Sequence, residues 1–151
     1  MKKIQYEESV GAVLSYKLMF ASSSHSPELN SKKEQYLLLK SPRGDWNFVK
    51  GHREKGETDY NTLKREIFEE TGITKFNVVN YLGKINYRFR KMGVEIEKEV
   101  KFYYVNTESN DILLSNEHID YVWLDYEQAR RLLTFDQSKF ILATLKNKLF
   151  S

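Results

Sequence analysis

Glu66, Glu69 and Glu70 stand at i, i+3 and i+4 in a segment that also carries Leu63 and Ile67 four residues apart. A strand would scatter these groups over both of its faces. On a helix spanning Thr58–Thr71 the three carboxylates share one face, while Leu63 and Ile67 point elsewhere, into a core. Thr58 is a suitable N-cap, and Gly72 sits where a helix ends in a left-handed residue. The chain must therefore fold so that one helix has a buried apolar side and an acidic side facing outward.

Three neighbouring carboxylates repel one another and weaken an isolated helix. Taken alone, the triplet reads either as a solvated acidic surface or as a site for a divalent cation, which would relieve the repulsion. Two further features surround it. Gly51 and Gly56 bracket a loop that runs into the helix, and glycine lets backbone turn sharply and approach a ligand closely. Glu57 and Arg65 carry opposite charges, and their pairing would tie that loop to the helix.

The remaining pattern supplies a sheet. Ser9–Phe20 and Glu34–Lys40 are rich in apolar, β-branched and aromatic residues and read as strands. A polar loop, Ala21–Lys33, lies between them, and Ser41–Asp45 reads as a turn. Trp46–Val49 reads as a further short strand. Phe76–Arg90 and Val94–Thr107 read as a hairpin joined at Lys91-Met92-Gly93. Tyr121–Leu124 is a short strand, and Asp125–Leu133 and Asp136–Leu149 read as helices. The mixture predicts an α/β or α+β fold with helices against a sheet, in one domain over residues 1–151.

Composition narrows the setting. No cysteine is present, which excludes disulfides and thiolate metal sites. No apolar run approaches the roughly 20 residues of a membrane span, and Met1–Glu8 lacks the apolar stretch of a signal peptide. A soluble, cytoplasmic protein is expected, as a monomer or weak dimer. The formal net charge is +3, which suits a small anionic ligand and gives no basis for a stable nucleic-acid or membrane partner.

The whole segment Gly51–Ile73 is more specific than its parts. It reads Gly, five residues, Glu, seven residues, Arg-Glu, an aliphatic, one residue, Glu-Glu, one residue, Gly and an aliphatic. This resembles the signature of the Nudix hydrolases, with every fixed position met. The resemblance implies an α/β/α sandwich with a mixed sheet. It implies hydrolysis of a nucleoside diphosphate linked to another moiety, with Mg²⁺ as cofactor and Mn²⁺ as a possible substitute. It also implies metal ligands at Gly51 (through its carbonyl), Glu66, Glu69 and Glu70, with Glu66 and Glu70 in catalytic roles. The ion would neutralise and orient the phosphates for attack by water on phosphorus, and a nearby carboxylate would take the proton.

A second resemblance lies outside that signature. Trp46-Asn47-Phe48-Val49-Lys50-Gly51-His52 is similar to a Trp-x-x-x-Lys-Gly-His segment of the asymmetrical diadenosine tetraphosphate hydrolases, although Val49 stands where those proteins often have proline. Ile85-Asn86-Tyr87, Ser115–His118 and Trp123-Leu124 extend the similarity. It implies a dinucleoside polyphosphate substrate cleaved to ATP and AMP. Lys50 and His52 become candidate phosphate contacts, Tyr87 and Phe135 candidate adenine-stacking rings, and Glu117 a candidate base or extra ligand. Phe135 reads equally as a core residue. Along Ile96–Tyr104 the even positions form the apolar face, interrupted by Lys98, so Tyr103 on the polar face is expected to reach a cleft. Arg88, Arg90 and Lys98 read as solvated strand ends or phosphate contacts. The same signature serves nucleoside triphosphate cleansing, pyrophosphate removal from RNA 5′ ends, or a catalytically silent nucleotide-binding module.

Overall fold

A computed structural model describes residues 3–19 and 32–150. Its elements in chain order are β1 (Ile4–Met19), β2 (Lys32–Lys40), β3 (Trp46–Asn47), β4 (Val49–His52) and α1 (Asp59–Thr71). They continue with β5 (Phe76–Lys91), β6 (Val94–Thr107), β7 (Asp120–Leu124), α2 (Tyr126–Leu132) and α3 (Asp136–Phe150). Most of the expected Ala21–Lys33 loop lies outside the described residues.

The seven strands form one mixed sheet with the order β3-β2-β1-β6-β5; β4 pairs with β1, and β7 pairs with β2. The central strand β1 runs parallel to β6, from Ile4 beside Glu95 to Tyr16 beside Thr107. On its other side β1 is shared. Its first half pairs with β4 (Ser9–Ala12 against His52–Val49), and its second half pairs with β2 (Ser15–Met19 against Tyr36–Lys32). Strands β2 and β4 therefore leave the same edge of β1 in succession, and the cleft described below opens beside that junction.

Two cores, one on each face, make this a helix–sheet–helix sandwich. On one face Val13, Leu38, Phe48, Val100, Phe102 and Tyr104 pack against Ala129 and Leu133 and against Ile141, Leu142 and Leu145 of α3. On the other, Val10, Ala12, Leu14, Leu37, Leu39 and Val105 pack against Leu63 and Ile67 of α1. The alternation of β6 thus splits between two helical layers, which is what a buried central strand requires.

The helix boundaries follow from their caps. The Thr58 side chain accepts from the Asn61 N–H at 3.1 Å, and Gly72 closes α1 in the left-handed conformation. Asp125 and Gln128 form a reciprocal capping box at the start of α2. The β5–β6 hairpin turns through Met92 and Gly93, both at positive φ, as a two-residue turn of that hand needs. The expected single strand Trp46–Val49 is two. The Asn47 carboxamide accepts the Phe48 N–H at 2.9 Å, and the chain changes partner there, from β2 to β1. Among the described residues no helix is long and apolar enough to cross a membrane.

Candidate functional site

Loop Arg53–Thr58 reaches α1 through one arginine. Arg65 Nε and Nη2 donate to the two carboxylate oxygens of Glu57 at 3.0 and 2.8 Å, and Nη2 also donates to the His52 carbonyl at 2.8 Å. The bidentate pair holds the Glu57 carboxyl down, to about 2. The expected Glu57–Arg65 tie between loop and helix is present.

The acidic face of α1 lies against β4. Glu70 is buried, and its Oε2 accepts the Lys50 backbone N–H at 3.2 Å. Glu66 is buried beside Gly51 so closely that a Cβ on residue 51 would fall 1.9 Å from the Glu66 carboxyl carbon. Glu69 is the outermost of the three, with a side-chain exposure of 55% against 11% for Glu66. Burial, then the neighbouring Glu66 and Glu117 charges, push the Glu70 carboxyl up to about 9. Burial also raises Glu66, although Arg65 Nη1 donates to it at 2.7 Å.

A face of oxygen donors whose innermost member resists ionisation suits a hard divalent cation. Among the described residues no three His, Asp or Glu side chains already converge as a cation cage. Arg65 spans that face, reaching Glu66 at 2.7 Å and Glu69 at 3.5 Å. The donor chemistry fits a cation that also takes oxygens from backbone, water and substrate phosphates.

Beside Glu70 opens a cleft of about 710 Å³. Lys50, Glu70, Tyr87, Phe89, Lys98, Glu117, His118 and Phe135 are among the residues that line it. Lys50 Nζ stands 3.3 Å from the Tyr87 hydroxyl and 5.4 Å from its ring centre, so ammonium and ring meet as a cation–π pair. Burial lowers the Lys50 ammonium from its ordinary range, as it does Lys98. His118 Nε2 lies 3.9 Å from Glu70, and its buried Nδ1 has no partner among the described residues. A second, more apolar hollow lies beyond Glu69, lined by Phe68, Lys75, Leu113 and Leu114, without a lysine set against a tyrosine as in the cleft.

The structure therefore brings together Lys50, Glu70, Glu117, Tyr87 and Phe135 in one cavity; of the acidic face of α1 only Glu70 lines it, Glu66 lies beside Gly51 next to it, and Glu69 borders the second hollow. Phe135 is 44% exposed, so it lies at the mouth and not in the core. His52 is exposed and does not line the cleft; its Nδ1 stands 3.8 Å from Glu7. Tyr103 lies elsewhere: its hydroxyl donates to Asp59 at 2.5 Å and its ring packs on Tyr81, on the α1 side of the sheet. Alternation along β6 does put Tyr103 and Lys98 on opposite faces, and the cleft opens on the face carrying Lys98. Lys98 lines the cleft with Tyr87 and is half-buried there, not a solvated strand end. A lysine interrupting an apolar face was the signal, because it marks where helical cover ends and the cleft begins.

A NUDIX domain model matches residues 27–144. A bis(5′-nucleosyl)-tetraphosphatase [asymmetrical] of Rattus norvegicus is 35% identical over 124 residues, covering 77% of this chain and 81% of its own. The Mus musculus protein of the same description is 36% identical with the same coverage. A solved C. elegans Ap4A hydrolase binary complex has a TM-score of 0.69 at 23% identity, over 95% of this chain and 97% of its own. The E. coli dihydroneopterin triphosphate pyrophosphohydrolase also has a TM-score of 0.69, at 18% identity, over 95% and 99%. At such identities the structural likeness speaks for the fold alone.

Proposed function

The chain belongs to the NUDIX hydrolase family, and from that premise we propose that it hydrolyses dinucleoside polyphosphates, cutting diadenosine tetraphosphate asymmetrically to ATP and AMP. The observation that carries the reading is the cleft itself. It sets a half-buried lysine against a tyrosine ring next to Glu70, with a second, exposed ring at its mouth. Two nucleosides joined by a phosphate chain need aromatic and cationic groups within one cleft. The similarity to two asymmetrical tetraphosphatases over 77% of the chain supports the same substrate class.

In this reading Tyr87 and Phe135 stack on bases, which contributes about 1–3 kcal/mol per base and tolerates different bases. Lys50 and Lys98 hold phosphate oxygens, and His52, on the other side of Gly51 from Lys50, adds a phosphate contact. Glu66, Glu69, Glu70 and the Gly51 carbonyl would hold Mg²⁺, which when bound neutralises phosphate charge and activates water for attack on phosphorus. Arg65 positions Glu66 from behind, and the Lys50 N–H fixes one oxygen of Glu70. Glu117, exposed in the cleft, accepts the proton released by the attacking water.

Chromatography of products from a panel of dinucleoside polyphosphates, nucleotide sugars and nucleoside triphosphates, with and without Mg²⁺, tests this. ATP and AMP from diadenosine tetraphosphate, formed only with the metal, is the expected result. An intact dinucleotide, together with conversion of a triphosphate to monophosphate and pyrophosphate, refutes it.

A further inference from the structure

Glu7 of β1 lies directly opposite Lys98 of β6, and Lys98 lies opposite Tyr87 of β5. Residues opposite one another in adjacent strands project from the same face. Glu7, Lys98 and Tyr87 therefore form one row across the sheet, on the face where the cleft opens. Lys50 reaches over the row from β4, on the far side of β1, with Nζ 3.3 Å from the Tyr87 hydroxyl. At the other end the Glu7 carboxylate stands 3.8 Å from Nδ1 of His52. Lys91 is close enough to act on both His52 and Lys98. The row thus sets Tyr87 and Lys98 beside the Glu7 carboxylate, which lies between Lys98 and His52.

That carboxylate is not a freely solvated surface acid. Its side chain is 22% exposed, and its charge is felt at both Lys98 and His52. Its neighbour Glu8 is the natural comparison. One residue along the strand, it projects from the other face, where it pairs with Arg53.

We propose that Glu7 is a specificity-determining residue that limits how many phosphates the cationic row accepts. The proposal rests on the reading that this row carries a polyphosphate. A phosphate chain held by Lys98 beside Tyr87 and extended across the sheet next approaches β1, about 4.8 Å away. There it meets the Glu7 carboxylate. Like charges at about that distance, in partly desolvated surroundings, repel strongly enough to change affinity by about tenfold. Chains that end at Lys98 escape the penalty, and longer chains incur it.

The test uses Mg²⁺-loaded wild type, Glu7→Gln and Glu8→Gln, titrated calorimetrically with inorganic tripolyphosphate and with a longer linear inorganic polyphosphate. Glu7→Gln is expected to bind the longer chain about tenfold more tightly while its affinity for tripolyphosphate changes less than about threefold. Glu8→Gln removes the same charge from the opposite face and is expected to change neither. Glu7→Asp withdraws the carboxylate toward its strand and should fall between wild type and Glu7→Gln, which covers the case of a poorly folded glutamine variant. An equal change for both chain lengths, no change, or the same gain in Glu8→Gln overturns the proposal, as does wild type that binds neither probe. If the selectivity shift appears but wild type leaves every dinucleoside polyphosphate intact, the proposed function falls and the role of Glu7 stands.

Discussion

A single methyl group at position 51 is expected to disable the site and leave the fold standing. The Cβ of Gly51→Ala would lie 1.9 Å from the Glu66 carboxyl carbon and 2.2 Å from each of its oxygens. Non-bonded carbons settle at about 3.5–4.0 Å, so the carboxylate must retreat by roughly 1.5–2 Å. Gly51 is not among the glycines at positive φ, so its backbone accepts alanine without strain. What yields is the far end of a flexible side chain, at a cost of about 1 kcal/mol and a fall of a few degrees in Tm. A misplacement of about 1 Å near reacting groups costs on the order of 10²-fold in rate, so kcat/KM should fall by at least that factor. Initial rates across a Mg²⁺ series, with thermal melting in the same buffer, measure both effects. Gly56→Ala is the control, because Gly56 has φ +86 and nothing within 4 Å of a built Cβ. It should cost similar stability through backbone strain while changing rates less than about threefold. Gly51→Ala protein turning over within threefold of wild type would refute the packing argument.

Three other substitutions probe the wall, the cleft and the opposite face. The Glu70 carboxyl sits at about 9 in the fold against 4.5 ordinarily. A folded value above the unfolded one means its stabilising contribution is complete below about pH 4.5 and lost as pH rises through 9. Metal-free wild type should therefore weaken between pH 5 and 9, and Glu70→Gln should overtake it by about 2 kcal/mol at pH 8 in chelator-containing denaturation. Parallel stability profiles for the two proteins would count against it. Lys50→Met removes the ammonium beside Tyr87 and should raise KM about tenfold with Tm held within a few degrees, read from saturation curves and melts. Tyr103→Phe loses the 2.5 Å bond to Asp59 and should cost about 1 kcal/mol in denaturant while leaving KM unchanged. A tenfold rise in its KM would put that ring back in the cleft.

Local chemistry was the legible part of this chain. Thr58, Gly72, Met92-Gly93 and the Glu57–Arg65 pair each act within a few residues of sequence, and each sits as its residue type dictates. The signature segment could be placed on a helix because its carboxylates and Leu63–Ile67 obey one period. The illegible part depends on partners far along the chain. Trp46–His52 divides at Phe48 only because β2 and β1 compete for it, and neither competitor is visible locally. The true start of β1, at Ile4 instead of Ser9, reflects a β6 neighbour supplied by residues from Glu95 onward. Tyr103 and Lys98 show the same limit. Alternation assigns them to opposite faces, but which face stays uncovered is decided by where α1 and α3 dock. Val49, placed where the resembling proteins often have proline, is here a strand residue whose backbone pairs with Ala12.

The parallel pairing of β1 with β6 bears on how the protein comes into being. Partners such as Gly11 and Phe102 are about ninety residues apart, and no short loop brings them together. Closing so long a segment before any pairing reward makes the central sheet slow to assemble, while α1 and the β5–β6 hairpin form from neighbours. During synthesis the acidic helix emerges well before Tyr87 and Lys98, so its charged stripe waits in an open chain. Any chain ending before β6 lacks the strand beside β1, and with it the floor on which the cationic row is built.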